Sequence, residues 1–219
     1  MLSMGAMPHE PNSTAESPRV YRATSAAWLT GFLVVLGVVV AITGWGREPW
    51  LTVAGLCSGA ALAGLGYSLY WRPRMEIRGH GVRIINPLRT VDIPWAQIID
   101  VRTRFTVTVI TEAGSYSCFA LPAAGPGSAL RSGTQGVTQA HPLARTDGAV
   151  RTGDLAGTRS GAAANDIRTV WQRKIDTGEL DVFTLDDTSV EPMNVRYVPG
   201  PLAVTLLLAA VGITLFATV

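Results

Sequence analysis

Arg74-Met-Glu-Ile-Arg-Gly-His-Gly-Val-Arg-Ile-Ile-Asn-Pro-Leu-Arg-Thr-Val-Asp-Ile-Pro-Trp95 is a period-two stretch interrupted by turn residues. Met75–Arg78 and Val82–Asn86 read as strands on either side of a Gly79-His80-Gly81 turn. Pro87-Leu88-Arg89 turns the chain again, and Thr90–Ile93 reads as a third strand. Pro94 ends it, because proline has no N–H to give the ladder. Further on, Ile98–Arg104, Phe105–Thr111 and Ser115–Ala120 continue the pattern, with a turn at Ala113-Gly114. Phe105–Thr111 alternates apolar and hydroxyl side chains, the mark of a half-buried strand. Six short antiparallel strands follow from this reading. Gly79 and Gly81 are expected at positive φ, and Trp95 is expected to fill the interior.

Downstream, the sequence loses its aromatics. Residues 122–161 are rich in Gly, Ala, Ser and Thr, too little apolar surface to offset the entropy of ordering them. They read as a flexible insertion. Asn165 or Asp166 would then cap a helix whose apolar face is Ile167, Val170, Trp171 and Ile175, with Arg168, Gln172 and Arg173 opposite. Gly178 would end it. Residues 179–198 read as an acidic linker, whose carboxylates match no calcium-loop spacing.

Upstream lies a different solvent. The chain has 219 residues, of which 47% are hydrophobic and only 16% charged. Soluble domains carry about 25% charged residues. The deficit is concentrated in three windows without any charge: Ala23–Gly46, Pro49–Trp71 and Tyr197–Val219. A span needs roughly 20 apolar residues. Residues 26–71 therefore read as a transmembrane hairpin, and 199–219 as a third span. Trp28, Trp45, Trp50 and Trp71 bracket the first two windows, where indole rings favour the headgroup layer. Arg19 and Arg22 precede the hairpin, and Arg72, Arg74 and Arg78 follow it. By the positive-inside rule the N-terminus and the strand region are cytoplasmic, with residues 1–25 a disordered tail. The localisation expected is the cytoplasmic (cell inner) membrane, multi-pass. Gly55, Gly59 and Ala63, and again Ala60, Gly64 and Ser68, place small residues four apart on the second span. These rows suit close helix packing, either within the chain or between two copies.

The run Gly81–Ile98, with its Asn86-Pro87-Leu88-Arg89 turn and Ile93-Pro94-Trp95 ending, resembles the bacterial PH-domain family of actinobacterial membrane proteins. The Arg72-Pro73-Arg74 junction after a two-helix hairpin is similar as well. The resemblance implies a membrane-anchored α+β fold: a PH-like antiparallel β-barrel over residues 72–178, capped by a C-terminal helix. A seventh strand is not evident. Asp181–Leu185 or part of the insertion would have to supply it. The resemblance implies no settled activity.

The residues themselves offer no catalytic constellation. No P-loop, dinucleotide glycine pattern, His-Glu-x-x-His or Cys-x-x-Cys occurs. His9, His80 and His141 have no evident metal partner, and Cys57 and Cys118 suggest neither a disulfide nor a metal site. No catalytic residue, cofactor or metal is expected, and a net charge of +2 points to no nucleic-acid partner. The residues expected to meet lipid or a partner are Arg72, Arg74, Arg78, Arg83 and Arg89. Two readings follow. One is a non-enzymatic module mediating protein interaction or assembly, with an unknown membrane or cytoplasmic protein or a second copy of itself. The other is a domain responding to anionic lipid, or an accessory subunit of a membrane transport or envelope-synthesis complex.

Overall fold

The structure, a computed structural model, describes residues 18–46, 48–123, 145–146, 149–150, 158–180 and 192–218. Three helices are long and apolar enough to cross a membrane: α1 (Ala26–Thr43), α2 (Pro49–Gly66, running on through a π-helical turn at Tyr67–Trp71) and the last helix, Gly200–Ala217. The middle helix touches both others. Glycine makes this approach close. A Cβ at Gly37 would lie 2.5 Å from the Gly59 carbonyl oxygen. One at Gly64 would lie 2.7 Å from Thr205 Oγ1. Both small-residue rows on α2 are thus used inside the chain, one toward α1 and one toward the last helix.

The strand region follows the period-two pattern closely. β1 is Arg19–Tyr21, β2 Arg74–Arg78, β3 Gly81–Ile85, β4 Arg89–Pro94, β5 Asp100–Arg102, β6 Thr106–Thr111 and β7 Gly114–Pro122. A short ribbon, β8 (Arg145–Thr146) with β9 (Ala149–Val150), lies within the expected insertion. The helix α3 spans Arg159–Asp176, β10 spans Asn194–Tyr197, and α4 is the apolar Gly200–Ala217. All pairings are antiparallel. They build one sheet in the order β1-β2-β3-β4-β10 and another in the order β5-β6-β7.

The expected barrel is not closed: among the described residues no ladder joins the two sheets. The chain leaves the first sheet at Pro94, makes a 3-10 turn at Trp95–Gln97 and enters the second. The core lies between the sheets. Met75, Ile84, Val91 and Ile93 meet Val107, Val109, Cys118 and Leu121, and α3 adds Ala163, Ala164 and Ile167. Trp95 is buried as expected, and its indole N–H reaches the carbonyls of Arg78 and Gly79 at 3.1 and 3.0 Å. That anchors the β2–β3 turn against the point where the chain changes sheets.

Several sequence expectations are corrected. Gly79 and Gly81 do not take positive φ; Gly114 and Gly178 do. Gly81 is needed for a different reason: a Cβ there would collide with the Ile93 carbonyl. The helix starts about two turns earlier than Asn165, with Thr158 as its cap, accepting from the Gly161 N–H at 3.0 Å. Arg168, placed by the helical wheel on the polar side, is buried and donates to the Val101 carbonyl at 2.6 Å. The strands beyond the expected six are Arg19–Tyr21 and Asn194–Tyr197, inside the segments read as tail and linker, and the β8–β9 ribbon, inside the segment read as a flexible insertion. The candidate strand Asp181–Leu185 lies outside the described residues, as does most of the insertion.

Candidate functional site

One end of the five-stranded sheet adjoins all three apolar helices. β1 runs into α1 through four residues; the π-helical turn runs into β2 through two, and β10 into α4 through two. Antiparallel pairing brings these junctions together, because Tyr21 faces Met75, Arg74 faces Ile85 and Tyr197 faces Arg89.

The sheet's outer face is charged. Register places Glu76, Arg83, Asp92 and Asn194 in one row, and Arg74, Ile85, Thr90 and Arg196 in the row nearer the helices. Side chains opposite each other on neighbouring strands share a face and interact. Arg83 donates to both carboxylate oxygens of Asp92, with Nη2–Oδ2 at 3.0 Å. Asp92 is the main reason the Arg83 pKa is raised. Glu76 is buried between Arg74, whose Nε donates at 2.6 Å, and Arg78, which donates through Nε and Nη2. Burial pushes the Glu76 carboxyl up, but those two arginines outweigh it and hold its pKa below the usual value.

The five arginines expected to form one contact surface therefore divide. Arg74, Arg78 and Arg83 are held by carboxylates. Arg72 instead donates to two neutral carbonyls, Asn86 at 2.8 Å and Pro87 at 2.7 Å, and among the described residues it has no carboxylate partner. Arg89 is elsewhere, its guanidinium 5.8 Å from the centre of the Tyr116 ring. Arg196 was not among the expected site residues, yet it stands exposed on β10 and lines the same cleft as Arg74 and Arg83. The signal for it was the alternation in Asn194-Val-Arg-Tyr197, too short to read as a strand without its partner.

Two clefts open on this face. One of about 430 Å³ lies toward the β2–β3 turn, between His80, Arg83, Pro94 and Met193. The other, about 380 Å³, lies toward the helices, where Tyr67, Arg72, Arg74, Arg83 and Arg196 line it with Asp92. Among the described residues no three of His, Cys, Asp and Glu cluster as metal ligands.

Residues 72–132 match the family model of a bacterial PH domain. The match begins at Arg72, at the end of the π-helical turn, and covers β2 through β7. It leaves out β1, α3, β10 and the three apolar helices. No curated protein and no solved structure matches the chain.

Proposed function

We propose that this chain is a non-enzymatic PH-like module, fixed to the cytoplasmic face of the cell membrane, which mediates protein interaction or assembly there. The observation that carries this reading is the triple attachment. Three strands of one sheet, β1, β2 and β10, continue into three apolar helices through connections of four residues or fewer. A domain held this way needs no lipid affinity to reach the membrane. Its orientation is fixed, and what it has to offer is surface.

Other features agree. PH domains are generally non-catalytic, and the rigid core here consists of apolar side chains without a clustered set of reactive groups. Arg19, Arg22, Arg72, Arg74 and Arg196 gather where the sheet meets the helices, and the positive-inside rule makes this a support for a cytoplasmic domain. The Gly81–Ile98 run and the preponderance of arginine over lysine support a place among the actinobacterial membrane proteins of this type.

The test has two parts. Topology reporters after Trp45, near Gly136 and at Val219 should read outside, cytoplasm and outside. The full chain, purified in nanodiscs, should then retain a specific protein partner or run as a defined oligomer. A monomer that repeatedly recovers no specific protein would refute the assembly reading, and a Gly136 reporter reading outside would invert the orientation.

A further inference from the structure

The cleft beside the helices has the chemistry of an anion site. Four arginines line it, Arg72, Arg74, Arg83 and Arg196, against a single acidic lining residue, Asp92. Glu76 lies next to it but serves Arg78 as well as Arg74. Arg72 donates to neutral carbonyls, and among the described residues no carboxylate cancels its charge. Arg196 is exposed, and among the described residues it has no carboxylate partner. The two uncompensated charges stand on different elements, one at the junction before β2 and one on β10. Tyr67, just past the end of α2, lines the cleft as well. Planar guanidinium forks match the oxygens of a phosphate, and two of them from different elements can hold one.

The depth of the cleft narrows the ligand further. Tyr67 belongs to the last turns of the second apolar helix, and Arg196 precedes α4 by only a few residues. If those helices span a bilayer, the cleft lies at headgroup level. We propose that this cleft binds a phosphate group, that of an anionic lipid headgroup or a free phosphate ion. The site lies at the opposite end of the sheet from the β2–β3 turn, and it depends on β10, which comes from outside the stretch matched as a PH domain. It does not depend on the assembly reading, and either can fail alone.

The experiment uses the full chain in mild detergent, with retained lipid counted by native mass spectrometry. Phosphatidylglycerol and phosphatidylcholine are the probes, each with and without millimolar inorganic phosphate. The wild-type chain should retain phosphatidylglycerol in preference. Arg196→Gln should weaken that retention about fivefold, the loss expected for one basic charge at an anionic surface. Arg104→Gln, exposed and outside the cleft, should not. Since Arg196 is exposed and makes no ion pair among the described residues, its loss should leave the fold intact. An independent readout is the wild-type thermal midpoint, which should rise with phosphatidylglycerol or phosphate but not with chloride at equal ionic strength. Displacement of the lipid by inorganic phosphate would make a free phosphate group sufficient. Retention against phosphate would assign the site to the lipid headgroup. Equal retention of the two lipids with no effect of phosphate, or equal behaviour of the Arg196 and Arg104 variants, would overturn the proposal.

Discussion

The Tyr21 hydroxyl donates a hydrogen bond to Asp166 Oδ2, which joins the strand leading into the first apolar helix to the helix that covers the core. Arg19 Nη1 donates to the same oxygen at 2.9 Å. β1 is only three residues long, so its ladder to β2 holds it weakly. The Asp166 carboxylate gives it a second attachment, from α3. Burial, and then the neighbouring carboxylate, push the Tyr21 phenol from 10.0 up to about 12.

That shift has a definite sign. A raised folded-state pKa means that the protonated phenol is favoured in the native chain. Its contribution is complete below the ordinary value and is lost as pH rises toward 12. The thermal midpoint of the full chain should therefore fall more steeply between pH 10 and pH 12 in the wild type than in Tyr21→Phe. At pH 7 the variant should be less stable by about 1 kcal/mol, the usual net worth of a hydrogen bond. Parallel curves for the two chains would show that the contact contributes nothing.

Glu76 should behave in the opposite sense. Burial opposes its charge, but Arg74 and Arg78 outweigh burial and depress its pKa. Its contribution is present above the ordinary carboxylate range and is lost as pH falls through the depressed value. Glu76→Gln should destabilise the chain at pH 7 by about 1–3 kcal/mol, the cost of losing hydrogen bonds to charged groups. The two arginines are partly exposed and can rehydrate, which keeps the loss below that of a fully buried pair. Denaturation at successively lower pH should show the gap between variant and wild type closing.

What the sequence disclosed follows the range of the interactions involved. β2, β3, β4, β6 and β7 were legible because each carries its own alternation and its own turn residues. The apolar helices were legible from length and the absence of charge. β1 and β10 were not, because three or four residues hold no period. They are strands only because the edges of β2 and β4 pair with them. The arginine site was half legible for the same reason. Composition shows arginines flanking the apolar windows. Only the register puts Glu76, Arg83 and Asp92 in one row, cancels much of the expected positive face, and puts Arg196 in the same row as Arg74, with two strands between them. The open barrel also needed coordinates, since no sequence signal says whether a meander closes.

Helix packing gives a steric prediction. A Cβ at Gly59 would meet the Gly37 carbonyl and would lie 3.0 Å from the Ala41 Cβ, whereas one at Gly31 would meet nothing within 4 Å. Overpacking a close contact costs about 1–3 kcal/mol. Gly59→Leu should lower the thermal midpoint in detergent, and Gly31→Leu should leave it nearly unchanged. If both variants matched the wild type, the row on α2 would not be packed against α1.

Arg168 carries the last prediction. It is buried, and its Nη2 donates to the Val101 carbonyl on β5, across the boundary between α3 and the three-stranded sheet. Methionine would fill much the same space but could not donate. The carbonyl would then stay buried and unpaired, a penalty of about 1–3 kcal/mol. Lysine should not rescue it fully, because its single ammonium lacks the fork that lets arginine make several bonds from one position. Arg173→Met, on the exposed side of the same helix, should change stability by no more than about 0.5 kcal/mol. Chemical denaturation of the three full-length variants distinguishes the cases. If Arg168→Met were as stable as Arg173→Met, the helical wheel would be right about Arg168, and its side chain would be spending its charge in solvent.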